Sequence, residues 1–122
     1  MSYLGVAYQM DQLNVYEQYF EADMVYNGRA RRAAKVMLIC ESGDGRIRYE
    51  AAVTFFPHED EEDYLVTSDA YFSKILYDTK GRRSKARETA LMKELKSELD
   101  TLCSENGAKV FWEKPLREAR FA

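Results

Sequence analysis

Apolar and polar residues alternate with the period of two that marks a strand with one buried face. In the segment 46–56, Ile47, Tyr49, Ala51, Val53 and Phe55 are apolar, Arg46, Arg48, Glu50 and Thr54 lie on the other side, and Ala52 is a small exception there. The preceding segment 33–41 is apolar on both sides, with Val36, Leu38 and Cys40 on one and Met37 and Ile39 on the other. Between the two stand Ser42, Gly43, Asp44 and Gly45, small and turn-forming residues that predict a β-hairpin. A two-residue turn at Asp44 and Gly45 sets Ala34 opposite Phe55, Val36 opposite Val53, Leu38 opposite Ala51 and Cys40 opposite Tyr49. A four-residue loop would slide the register by two and keep the same faces.

The segment from Tyr16 to Tyr26 alternates as well, with Tyr16, Phe20, Ala22, Met24 and Tyr26 against Glu17, Glu21 and Asp23. A two-residue turn at Asn27-Gly28 would bring Phe20 against Lys35, so a three-residue loop of Asn27, Gly28 and Arg29 is expected. That loop pairs Phe20 with Val36, Ala22 with Ala34, and Glu21 with Lys35 as opposite charges. Residues 1–15 read two ways: Met10, Leu13 and Tyr16 fit a helical face, whereas Val6 and Tyr8 alternate like a strand. The run 58–63, His58 followed by five acidic residues, predicts a solvated loop, and 64–67 a short strand. Tyr71, Phe72, Ile75 and Leu76 match a helical spacing behind Asp69, but the aromatic content favours a strand over 69–78, which is the assignment adopted.

A helix is predicted from the N-cap Ser84 to about Cys103, with Leu91, Leu95, Leu99 and Leu102 as its apolar stripe beside Met92. Asn106-Gly107 supplies a left-handed stop, and 108–113 reads as a returning strand that Pro115 ends. The fold class is α+β: an antiparallel meander, one long C-terminal helix packed on one sheet face, and a short returning C-terminal strand, forming one domain over residues 1–122.

Composition narrows the function classes. The chain has 122 residues, 46% hydrophobic and 32% charged, with a formal net charge of −3, so no whole-molecule field draws it to nucleic acid or an anionic membrane. No run approaches the roughly 18 apolar residues of a membrane span, and the opening Met1 to Val6 lacks a signal-peptide pattern, which predicts a cytoplasmic protein with no membrane partner. Cys40 and Cys103 lack metal-ligand spacing and are expected to be buried thiols, a disulfide being the lesser alternative. No metal or cofactor is expected.

Phosphate-loop, dinucleotide, nucleophile-elbow and zinc-protease signatures are all missing, and His58 is the chain's single histidine, so an enzyme is not the favoured class and no catalytic residue is assigned. The strongest local charge feature is Lys80 to Arg87 at the start of the predicted helix, where Arg82, Arg83, Lys85 and Arg87 are candidate phosphate or nucleic-acid contacts. Its plainer explanation is a solvated basic turn balanced by the acids at 59–63. Gly81, Ser84, Lys85 and the helix after them locally resemble the opening of the last helix in double-stranded-RNA-binding domains. The likeness covers about a tenth of the chain and departs at Ala86 and Glu88; it implies that the basic residues would meet phosphates without reading sequence.

The second candidate is a surface. Met37 and Ile39 face away from the helix, with Tyr19 and Val25 on the neighbouring strand, and either the N-terminal segment folds over them or they form an interface of aromatic and Met character. The reading that follows is a small non-enzymatic binding or regulatory protein acting through a protein partner or self-association, a homodimer included, with Tyr19, Met37 and Ile39 at the contact. A nucleic-acid or phosphate-binding module using 80–87 is the alternative.

Overall fold

The computed structural model describes residues 11–24, 29–57 and 70–117. Strands β1 (Asp11–Met24), β2 (Arg29–Gly43), β3 (Arg46–Pro57) and β4 (Ala70–Lys80) are followed by helix α1 (Lys85–Glu105) and strand β5 (Ala108–Leu116). All adjacent pairs are antiparallel, and the sheet order is β4-β3-β2-β1-β5. The expected α+β architecture is the one observed. No helix among the described residues is long and apolar enough to cross a membrane.

The β2–β3 hairpin follows the two-residue turn. Ala34 faces Phe55, Val36 faces Val53, Leu38 faces Ala51 and Cys40 faces Tyr49. Asp44 and Gly45 both take positive φ, at 56° and 72°, which is the type I′ geometry whose twist suits a hairpin. A side chain at Gly45 would meet nothing within 4 Å, so only backbone strain opposes it. Gly45→Ala is therefore expected to cost about 1 kcal/mol, read as a shift of the urea midpoint at unchanged slope.

The β1–β2 register departs from expectation. Phe20 lies opposite Ala34 and Ala22 opposite Arg32, two positions from the pairing inferred from the loop, while the apolar face is preserved. Glu21 therefore faces Ala33, and Lys35 instead approaches Glu17 at 3.5 Å. Period-two patterning fixes which face a residue takes but is blind to a slip of two, and register shifts at Val15 and near Asp23 adjust the alignment locally. The loop at 27–29 falls largely outside the described residues, as do residues 1–10, the acidic run at 58–63 and the expected strand at 64–67. Residues 11–15 are strand, which settles that part of the ambiguous segment.

One core fills the space between the sheet and α1. Phe20, Met24, Val36, Leu38, Val53 and Phe55 from the sheet meet Leu91, Leu95, Leu99 and Cys103. Buried helix positions recur every four residues, so Cys103 rather than Leu102 completes the stripe, and Leu102 and Met92 are half-buried at its margin. Ser84 caps the helix by accepting from the Arg87 amide, and Gly107, at φ 70°, lies just past its end. The returning strand runs past its expected end. Pro115 lies opposite Phe20 after a register break, a position open to proline because β5 is an edge strand.

Candidate functional site

Where α1 begins, three side chains converge. Glu88 is only 7% exposed. Its carboxylate accepts the Tyr49 hydroxyl at 2.7 Å and two Arg83 bonds, from Nε at 2.7 Å and Nη2 at 2.8 Å. The Arg83 bonds hold the Glu88 carboxyl below its ordinary range against the opposing effect of burial, and the Tyr49 bond adds to them. Burial, and then the carboxylate that accepts its proton, push the Tyr49 hydroxyl up. Near neutral pH one group stays ionised and the other protonated, so the pair is unsuited to exchange a proton. The cluster ties the helix start to β3.

Cys40 faces Tyr49 across the hairpin, and burial raises its thiol. Burial likewise pushes Cys103 up to about 12, with the Asp100 charge adding to it. Both cysteines are buried and free. They are packing residues, since a thiol held in its neutral form is a poor nucleophile.

The four basic candidates differ in their partners. Arg83 is bound to Glu88, and the Arg87 guanidinium lies 4.1 Å from the centre of the Tyr77 ring. Arg82 and Lys85 are exposed, and neither forms an ion pair with another described residue. Half of the cluster is thus engaged by the protein itself, and Ser84 occupies part of the donor set that a helix start would offer an anion.

On the sheet face opposite α1, Met37 and Ile39 are 7% and 6% exposed and cluster with Ala52. They form a floor rather than a projecting patch. Tyr19 is half-buried; its ring centre lies 6.4 Å from that of Phe56, and Lys35 Nζ stands 5.9 Å from it. Among the described residues, the large apolar side chains that project from this face are Tyr71 and Ile75 of β4, at 52% and 51% exposure. They lie opposite Thr54 and Glu50 and share the face with Ser73, which lies opposite Ala52.

Tyr71 and Ile75 were hidden in the sequence because Tyr71, Phe72, Ile75 and Leu76 resemble a single helical face. As a strand, the same residues divide between two faces. Phe72 packs on Phe55 in the main core, with ring centres 5.9 Å apart, and the irregularity at Leu76 lets both Leu76 and Tyr77 pack there too. Tyr71 and Ile75 are left on the other side.

An open groove of about 710 Å³ runs beside β5, lined among others by Asp100, Cys103, Val110 and Trp112. Its best-placed polar groups already satisfy each other, since Trp112 Nε1 donates to Asp100 at 2.8 Å. Compared with family models, curated proteins and solved structures, the chain matches none.

Proposed function

We infer that this is a small non-enzymatic binding protein whose protein-contact surface centres on β4 and extends over the sheet face away from α1. The observation that carries this reading is the pair Tyr71 and Ile75, two large apolar side chains about half exposed on one face of one strand. Their exposure leaves apolar surface in water that a partner would remove, and aromatic residues are enriched at such contacts. Met37, Ile39 and Ala52 supply the packed floor behind them, and Tyr19 a flank. The converging Glu88, Tyr49 and Arg83 act as a structural tie in this reading, since each is already bonded to another.

The test is a photo-crosslinking amino acid at position 71, compared with one at Lys109 on the far edge of the sheet, in a lysate of the cells that make the protein. Position 71 is expected to yield a discrete adduct that disappears when Ile75→Lys is added, and position 109 none. Equal labelling at both positions, or no adduct at 71, contradicts the reading.

A further inference from the structure

Among the described residues β4 and β5 are the outer strands of the sheet, and they are guarded very differently. A free edge exposes a row of backbone donors and acceptors that invites another strand, and proteins blunt it with proline, charge, bulges or interrupted pairing. β5 has these devices: Pro115, a register break between its pairings with Phe20 and Glu21, and the exposed charges Lys109, Glu113 and Lys114. β4 has only one of them, a single charge, over its first half. Ala70 to Ile75 pair with β3 in unbroken register, and the irregularity comes only at Leu76. Lys74 is the one charged residue of that stretch; it is half-exposed and paired with Glu98 at 2.7 Å, on the side of the sheet that faces α1.

The same stretch is complementary to itself. Antiparallel pairing about a two-fold axis at Ser73 sets Tyr71 opposite the partner's Ile75, and Ile75 opposite the partner's Tyr71. Both pairs are aromatic against β-branched, the kind of cross-strand neighbours that sheets favour. The two most exposed large apolar residues of β4 would then cover one another twice, and the small Ser73 sits where identical side chains must meet. Ala70 falls opposite the partner's Leu76, and Phe72 opposite the partner's Lys74. Such a contact is isologous and closes at two copies.

We propose that the partner at this surface is a second copy of the chain, joined through β4 edge to edge about Ser73, so that two five-stranded sheets become one continuous ten-stranded sheet. This rests on the reading above that the β4 side is a protein-contact surface. Pairing over the seven residues 70–76 spans roughly 23 Å. A contact of that length is at the small end of specific interfaces, so the dimer is reversible, with dissociation in the micromolar range.

The test is Ser73→Cys under a mild glutathione redox buffer. Directly opposed residues of an antiparallel pair lie roughly 4.5–5.5 Å apart at Cα, inside the range a disulfide spans, and Cys40 and Cys103 are buried and do not compete. The expected result is near-complete conversion to a covalent dimer within minutes. Thr79→Cys, well off the axis, should convert at least tenfold more slowly. Sedimentation of the untagged protein should show mass approaching two chains as concentration rises, and Ile75→Lys should remain one chain with an unchanged circular dichroism spectrum. A monomer at all concentrations together with equal crosslinking at 73 and 79 overturns the self-pairing. If the adduct at position 71 then contains a different protein, the contact surface stands and only the identity of its occupant falls.

Discussion

Leu99→Ala is expected to destabilise the protein by about 3–5 kcal/mol, lowering the thermal midpoint by roughly 10–20 °C. Leu99 is fully buried in the middle of the helix stripe, between Leu95 and Cys103 and against the sheet. Truncation removes its transfer free energy and leaves a cavity that sheet and helix backbones resist closing. Leu102 carries the same side chain at the margin and is half-buried, so Leu102→Ala should cost only about 1 kcal/mol. Chemical denaturation of the two variants measures the contrast. Equal losses would mean that α1 is rotated about its axis from the orientation described.

The second large effect is expected at Glu88. Glu88→Ala leaves the buried Tyr49 hydroxyl without its acceptor and removes the Arg83 tie, at a cost of about 2–3 kcal/mol. The figure stays at the low end because water takes over much of the half-exposed Arg83. A pH signature accompanies it. The folded-state carboxyl is held below its ordinary value, so its contribution is fully present above the unfolded pKa, about 4.3, and is lost as pH falls through the folded value. Glu88→Gln keeps an acceptor for Tyr49 without the titrating charge. The stability gap between wild type and Glu88→Gln should therefore be constant from pH 7 to 5 and shrink below about 4. Urea unfolding at stepped pH reads this directly, and a gap that widens on acidification would place the carboxyl's shift in the wrong direction.

The parts of the fold legible in the sequence were those whose signals are local. For the β2–β3 hairpin the turn residues and the alternation of 46–56 fixed the faces and left two registers open, of which the structure takes the one with the two-residue turn. The helix was equally readable from its cap, its leucine spacing and its Asn-Gly stop. The β1–β2 pairing was read on the right face but two residues out, since alternation repeats every two positions and register shifts alter the alignment. The bond between Tyr49 and Glu88 joins residues 39 positions apart and has no signature along the chain.

The candidate surface was half legible. Met37 and Ile39 were placed on the face opposite the helix, yet they are buried there and form a packed floor rather than a projecting patch. Tyr71 and Ile75 stayed unseen because four apolar residues at positions 71, 72, 75 and 76 satisfy helical and strand patterns equally, and only pairing with β3 assigns them to opposite faces. In the basic cluster, charge could be counted from sequence but not its commitments: Arg83 is bound by Glu88 five residues on, in the first turn of α1, and Arg87 lies over Tyr77 of β4.

Amide hydrogen exchange read residue by residue at two protein concentrations, micromolar and near-millimolar, tests the pairing of β4 with a second copy most directly. Alternate amides from Ala70 to Leu76, those aimed away from β3, are expected to gain protection at the higher concentration, while the outward amides of Ala108 to Glu113 on β5 do not change. Exchange along β4 that ignores concentration, or protection that grows instead on β5, would contradict it.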